Sequence, residues 1–513
     1  MTKLRKCILC VLAIIMATAN VIAAHATPLP QSHANHPSLH ETFAPHFLFG
    51  NIYSSTSRMD RGYTRDIFTH HFNAVTAENW HKPYNIAPRG YDKPEAHDFN
   101  FERADSIVNW AIENDLTLIG HTLVWHAQSP RWMAYSGPDT PLTRAEARAN
   151  MEFYIRTLAE HFTKMGTIGA FYSWDVVNEV ILSGGGTWTG DWRTQLRTDS
   201  MWYKAYSYGY SQALGEHPSD FVYDAFVFAR RYFPNAILFY NDYNEEIPAK
   251  REAIAQMVEQ LNERWVFDME NNPQAVYHGY RGRYGYDACL YNGRLLIEGI
   301  GLQGHYHLDQ HATNLSNVRR TLERFVETGA RLAITELDIT VGTRTNRQPS
   351  PLPPAQQIRQ ANAYARVMGY VMEFADYIER VSIWGKADNQ SWRAWGQPVI
   401  FDYAMNPKPA FYSILEVAEK NKNPRTYTPT LNEETLPEGK LYSPFNHGLT
   451  ANCKMLTPMR WSVVEGALPR GMQLFSTTGV IGGTPLEHGE FEFVVRVKNY
   501  SGYVEERFVF NVK

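Results

Sequence analysis

Between residue 47 and roughly residue 420 the chain alternates short β-rich apolar runs with amphipathic helical stretches, eight times over. The runs fall at 47–52, 72–76, 117–125, 171–177, 237–240, 297–302, 331–339 and 381–384. Between the third and fourth, Met151, Tyr154, Ile155, Leu158 and Phe162 recur on one helical face, the spacing of a helix laid on a sheet. Eight such units predict an α/β fold, a (β/α)8 TIM barrel, with its reactive groups on the loops at the strands' C-terminal ends. A doubly wound open sheet would need a Gly-rich phosphate turn after its first strand. Gly50-Asn51-Ile52 does not supply one.

Outside this region the pattern changes twice. Lys3, Arg5 and Lys6 precede an almost wholly apolar stretch over 7–24, and Ala24-His25-Ala26 follows as an A-x-A site. That is the layout of a secretory signal peptide over 1–26, with an apolar run short for an anchor. Residues 27–46 lead into the barrel at 47–420. Residues 421–440, rich in Pro, Thr, Asn and Glu, read as a linker. From Leu441 the hydrophobic period becomes two, as in Glu490-Phe491-Glu492-Phe493-Val494-Val495-Arg496-Val497, with turn signals at Gly482-Gly483-Thr484-Pro485 and Ser501-Gly502. Residues 441–513 therefore predict a small all-β antiparallel sandwich.

Charge and cysteine content narrow the function classes. A net charge of −4 gives no basis for a nucleic-acid or anionic-membrane partner. After signal cleavage only Cys289 and Cys453 remain, without CxxC spacing, so neither a disulfide framework nor a Cys metal site is expected. Two stretches interrupt the barrel pattern. Residues 266–296 are polar and aromatic and too long for a simple connection, and residues 344–357 hold four Pro in an exposed loop.

The chemistry sits at two strand ends. The fourth run closes on Trp174-Asp175-Val176-Val177-Asn178-Glu179 before Gly184-Gly185-Gly186. A carboxylate at the mouth of a buried parallel strand is partly desolvated, which raises its pKa and suits it to proton donation. The seventh run carries Thr335-Glu336-Leu337-Asp338, with Glu336 and Asp338 on one side of the strand. Two Glu at the same end of one barrel can meet across its mouth. Glycoside hydrolysis needs such a pair, one to protonate the leaving oxygen and one to attack or stabilise the anomeric carbon.

These two runs, with Thr-Ala-Glu-Asn-Trp-His-Lys at 76–82, Gly-His-Thr-Leu-Val-Trp-His at 120–126, Gly-Leu-Gln-Gly-His at 301–305 and Trp-Gly-Lys-Ala-Asp at 384–388, resemble glycoside hydrolase family 10, the endo-β-1,4-xylanases. All six stand in order between about residues 47 and 418. The resemblance implies a retaining, double-displacement mechanism with Glu179 as general acid/base and Glu336 as nucleophile. Asn178 would hydrogen-bond a sugar hydroxyl, and His305, oriented by Asp338, would donate to Glu336. Glu78, Asn79 and Lys82 match the cluster that holds the sugar on the non-reducing side of the cut. His121, Trp125 and Gln128 match the third-strand lining, and Gln303 the sixth. Trp384 and Trp392 match the pair that floors and roofs one sugar, and Tyr243 the residue that stacks on the leaving-group side.

The sequence also departs from the family. Pro83 stands where Trp usually follows the Lys, Asn389 where a basic residue often follows the Asp, and 266–296 exceeds the usual connection. None touches the two Glu, so the departures bear on the form of the substrate and not on the reaction type. The C-terminal module resembles bacterial immunoglobulin-like domains through Trp461-Ser462-Val463-Val464, Gly466-Ala467-Leu468-Pro469-Arg470-Gly471, Thr477-Thr478-Gly479-Val480-Ile481 and Gly483-Thr484-Pro485. A spacer or stabilising role is expected there in preference to carbohydrate binding. The expectation for the whole chain is a monomeric bacterial enzyme, secreted to the periplasm or beyond. It would hydrolyse xylan or xylo-oligosaccharides with no metal or organic cofactor. A cellulase or mixed-linkage glucanase is the rival within the chemistry, and a sugar-binding protein on a dead barrel the rival outside it. The cluster Glu78/Asn79/Lys82 with Trp384 speaks against the first, and the presence of both Glu against the second.

Overall fold

Eight parallel strands hydrogen-bond in chain order and close on themselves. They are β1 (Leu48–Tyr53), β2 (Ala74–Ala77), β3 (Thr117–Trp125), β4 (Phe171–Asn178), β5 (Ile237–Asp242), β6 (Gly299–Leu302), β7 (Arg331–Thr340) and β8 (Ile378–Ile383). Closure runs through β8 against β1, in register from Leu48 opposite Arg380 to Asn51 opposite Ile383. Helices Gly62–His71, Glu102–Glu113, Arg144–Lys164, Asp220–Tyr232, Pro248–Asn271, Ser316–Val326, Pro354–Glu373 and Pro409–Lys420 follow the strands in turn. This computed structural model describes residue 33 and residues 35–53, 62–184, 186–271, 294–309, 312–421, 427–432, 434–452 and 456–513. The signal peptide expected over 1–26, most of the 266–296 stretch, and Cys289 and Cys453 lie outside those residues. The first residues of that stretch, up to Asn271, continue the helix from Pro248.

Strands covered on both sides must be apolar on both sides, and β1, β2 and β8 are buried at every position. The helix Arg144–Lys164 starts at a capping box, Thr143 with Glu146, and buries Met151, Tyr154, Ile155, Leu158 and Phe162. On the helix side of the sheet the large indole of Trp174 packs with Phe171 and Phe233 and fills the space beside Gly120, where a Cβ would come within 2.2 Å of its ring. That close packing fixes β3 against β4 just below the catalytic loops. The lead-in also docks: Phe43 stacks on Phe47 and Phe49 at 5.1 and 5.2 Å between ring centroids. Among the described residues no helix is long and apolar enough to cross a membrane.

The last strand begins earlier than the apolar run at 381–384 predicts. Ile378, Glu379 and Arg380 belong to it, and charge hid them: Glu379 is buried against Arg331 at 2.8 Å, and Arg380 is fully buried.

The C-terminal module holds β9 (Thr430–Leu431), β10 (Phe445–Gly448), β11 (Ala451–Asn452), β12 (Arg460–Gly466), β13 (Met472–Leu474), β14 (Val480–Gly483), β15 (Gly489–Asn499) and β16 (Gly502–Val512). Antiparallel sheets β12–β15–β16 and β10–β14–β13 enclose Trp461, Ile481, Phe493, Val495, Val497, Phe508 and Phe510. The segment expected as a linker over 421–440 is partly module: β9 pairs with β11, and Leu436 is buried in the module core. Single apolar residues among Pro, Thr and Glu carry that packing, which composition averages away.

The module sits on the barrel's N-terminal face. Phe475 and Val480 pack on Gly169, Thr478 Oγ1 donates to the Gly169 carbonyl at 2.7 Å, and Asp115 takes Ser476 Oγ and lies 3.5 Å from Arg460 Nε. Gly169 lies just before β4, so the contact is at the opposite end of that strand from Glu179.

Candidate active site

A cleft of about 820 Å³ opens at the C-terminal ends of the barrel strands, with Glu179 and Glu336 in its lining. Glu179 follows the last residue of β4 with φ +61°, a left-handed conformation that a non-glycine residue holds only when its surroundings enforce it. Here its N–H donates to the Asn241 carbonyl at 2.9 Å. The side chain accepts from Trp125 Nε1 at 3.0 Å, Gln303 Nε2 at 3.0 Å and Asn178 Nδ2 at 3.2 Å. Burial, then the charges of Asp242 and Glu336, raise its pKa despite those donors. A carboxyl in that state keeps its proton to higher pH and can give it up to a leaving oxygen.

Glu336 comes from β7 and is held the opposite way. Asn241 Nδ2 donates to its Oε1 at 2.9 Å, and His305 Nε2 to its Oε2 at 3.2 Å. Burial would raise its pKa, but the His305 hydrogen bond and neighbouring cations outweigh burial, and the carboxyl stays below the usual range. His305 is charged for the same reason. Burial disfavours the imidazolium, yet Asp338 first and Glu336 second raise its pKa to about 9. Asp338, 3.2 Å from Nδ1, is itself kept ionised against burial by Arg393 and His305. A run of amides spans the two acids: Gln303 reaches both Glu179 and Asn178, and Asn241 reaches both Asn178 and Glu336. Two acids whose surroundings push their pKa values apart, one up and one down, make the kind of pair glycoside hydrolysis requires.

The sugar-facing residues surround this pair. Lys82 Nζ donates to Asn79 at 3.2 Å and Gln128 at 3.0 Å, and lies 5.0 Å from the Trp125 ring. Burial lowers the pKa of Lys82 and raises that of Glu78. His121 Nδ1 meets Asp175 at 2.8 Å, and its ring faces the edge of Trp384 at 5.4 Å. Trp384 is nearly buried in the floor, while Trp392 is 55% exposed and stands over His305 at 5.2 Å. Across the cleft the Tyr243 hydroxyl bonds to Ser183 and accepts from Arg197 at 3.0 Å, with Lys250 Nζ 4.1 Å above its ring.

Every residue expected at the site lines this cleft except Asp338, which lies fully buried behind His305. The sequence reading missed Asn241, whose amide joins Glu336 to Asn178, and His126, 4.0 Å from Glu179 Oε2. His126 closes the quoted run at 120–126, one residue from Trp125, and Asn241 stands two residues before Tyr243, so proximity was the available signal. It also missed Asn244, His307, Arg344, Arg393 and Trp395 on the cleft wall. The last four depend on three loops meeting, those after β6, β7 and β8, which no spacing reveals. Among the described residues no group of three or more His, Cys, Asp or Glu is placed to hold a metal ion.

Comparison with known proteins agrees with this geometry. The "Glycosyl hydrolase family 10" profile matches residues 38–417, and the "Putative Ig domain" profile matches residues 423–513. Endo-1,4-beta-xylanase A of Caldicellulosiruptor saccharolyticus is 30% identical over 390 residues, 74% of this chain and 95% of the relative. Endo-1,4-beta-xylanase B of Paenibacillus barcinonensis is 29% identical over 390 residues, 74% of this chain and 98% of the relative. Among solved structures, a GH10 xylanase with a bacterial Ig-like domain from termite gut aligns with a TM-score of 0.60 and 33% identity, covering 76% of this chain and 79% of that one. A xylanase mutant from Thermoanaerobacterium saccharolyticum, in complex with xylotetraose, aligns at 0.57 and 26% identity over 74% of this chain and 98% of its own. With the family profile covering the whole barrel and both acids in place at its mouth, the chain belongs to glycosyl hydrolase family 10.

Proposed function

We propose that this protein is a retaining endo-1,4-β-xylanase, in which Glu179 is the general acid/base and Glu336 the nucleophile. The observation that carries the reading is the opposed shift of the two acids: Glu179 raised by burial, and Glu336 lowered against burial by the His305 hydrogen bond and neighbouring cations, with Asn241 also donating to it. In the first step Glu179 protonates the glycosidic oxygen as the C1–O bond breaks, and Glu336 bonds to C1. In the second, the Glu179 carboxylate takes a proton from water, the water oxygen bonds to C1, and Glu336 leaves with its electron pair. Two displacements at one carbon return the starting anomer.

The substrate reading rests on the polar cluster Glu78, Asn79, Lys82 and Gln128 on one side of the acids, with Trp384 and Trp392 around the same position. Tyr243 stands on the leaving-group side. The basic start, apolar run and Ala24-His25-Ala26 support secretion.

The test is product analysis on xylan and on cellulose, for the wild type and Glu336→Ala together, with the anomer of the fresh product read by NMR. Internal cuts in xylan by the wild type alone, releasing the β-anomer, are expected. Cleavage of cellulose but not xylan would overturn the substrate, and inversion would overturn the mechanism. A folded protein that cuts neither would not be this enzyme.

A further inference from the structure

β4 stops pairing at Asn178, opposite Asn241 on β5, yet the chain beyond it stays tied to that strand. The next three backbone N–H groups each donate to a different residue of β5. Glu179 N–H donates to the Asn241 carbonyl at 2.9 Å, Val180 N–H to the Tyr240 hydroxyl at 3.1 Å, and Ile181 N–H to Asp242 Oδ2 at 3.3 Å. The last two acceptors are side chains, so these bonds depend on which residues stand there and not on sheet geometry.

Tyr240 and Asp242 form one unit. The Tyr240 hydroxyl donates to Asp242 Oδ2, the oxygen that also takes Ile181 N–H. The other oxygen, Oδ1, takes Tyr243 N–H at 2.9 Å and lies 2.7 Å from Lys250 Nζ. Lys250 Nζ in turn donates to the Ile181 carbonyl at 3.3 Å, so Ile181 is gripped at both its N–H and its carbonyl. Tyr240, Asp242, Lys250 and Ile181 are fully buried, and an N–H left unpartnered among them bears the full cost of its burial. Through space the Asp242 charge also reaches Glu179, His126 and Arg197.

The anchorage bears on what Glu179 must do. Its φ of +61° is a conformation that a residue with a Cβ leaves unless its neighbours hold it. A proton donor works only within hydrogen-bond reach of the leaving oxygen, and a displacement of about 1 Å can cost about a hundredfold in rate. We propose that Tyr240 and Asp242 are positioning residues for the proton transfer: by anchoring Val180 and Ile181 they hold the turn that aims the Glu179 carboxyl at the leaving oxygen. The proposal rests on the xylanase reading above, in which Glu179 is the acid.

The test compares kcat/KM on xylohexaose, whose leaving sugar needs the proton, with kcat/KM on dinitrophenyl xylobioside, whose leaving group departs without it. Both constants report the first displacement alone. In Tyr240→Phe the xylohexaose-to-aryl ratio falls about three- to tenfold, the effect of one unmade buried hydrogen bond. In Asp242→Asn the ratio falls further, and the alkaline limb of kcat/KM moves to lower pH, because a negative charge facing Glu179 is gone. That variant strands the Lys250 ammonium in the core, so Tyr240→Phe, which alters no charge, decides. Tyr206→Phe is the control: it removes an equally buried hydroxyl, the one that donates to Asp224 at 3.0 Å, and the ratio holds. An unchanged ratio in Tyr240→Phe, or an equal fall in Tyr206→Phe, would overturn the assignment and leave the xylanase reading intact. Failure of the wild type to cut xylohexaose would overturn both.

Discussion

His305 and Glu336 meet at 3.2 Å, Nε2 to Oε2, and each fixes the other's charge. His305 is raised to about 9 and Glu336 lowered from its ordinary 4.5. A histidine with a raised folded pKa contributes stability that is complete below about 6.5 and is lost as the pH climbs through about 9. Activity follows a different pair. Glu336 must be ionised, so the acid limb of kcat/KM lies below 4.5, and Glu179 must be protonated, so the alkaline limb lies above 4.5. Replacing His305 by Asn keeps a donor but removes the cation. The acid limb is then expected to move up by roughly one pH unit while the alkaline limb holds. A full pH profile of kcat/KM for His305→Asn checks it, and an unmoved acid limb would separate His305 from the ionisation of Glu336.

Removing each acid should fail differently. Without Glu336 no bond to C1 can form, and Glu336→Ala is expected to lose turnover on every substrate while still binding xylo-oligosaccharides. Without Glu179 only the proton is missing, so Glu179→Ala should fall by about 10²–10⁴ on xylan and much less on an aryl glycoside whose leaving group departs unprotonated. Parallel kinetics on the two substrates decide. Equal losses for Glu179→Ala would deny it the acid role.

Strand alternation made most of the barrel legible, because buried parallel strands must be apolar on both sides; the run at 117–125 coincides with β3. Polarity hid what was missed. Ile378–Arg380 reads as surface because nothing in the sequence tells that Glu379 faces Arg331, 48 residues earlier in the chain. The same holds at the site. Glu179 and Glu336 announce themselves as acids closing apolar strands, whereas Asn241 matters only because its amide lies between Asn178 and Glu336. Arg344 and Trp395 meet through loops whose lengths carry no pattern.

Trp392 offers a measure of aromatic stacking. It is 55% exposed above the cleft, and a sugar laid on it would cover one ring face. Roughly 60 Å² of apolar surface removed from water is worth about 1.5 kcal/mol. Trp392→Ala is therefore expected to weaken binding of xylo-oligosaccharides about tenfold, seen as a raised KM or by calorimetry with Glu336→Ala as the inactive background. Binding as tight as that of the parent would place the sugar elsewhere.

The module's hold on the barrel is testable at Phe475. In β14 Val480 packs with the barrel core and its neighbour Ile481 with the module core, opposite faces of one strand serving two domains. Phe475 joins Val480 on the barrel side and is 4% exposed. A Cβ on Gly169 would come within 2.7 Å of both, so the seat has no slack. Phe475→Ala should cost about 3 kcal/mol of packing there. The expected result is an earlier loss of xylan-cleaving activity on heating, with kcat before heating unchanged because the acids lie at the other end of β4. Phe510→Ala, in the module core alone, separates the effects: it should loosen the module first and lower barrel inactivation less. If Phe475→Ala inactivates at the wild-type temperature, the module rides on the barrel without bracing it, and the stabilising role expected from the sequence fails.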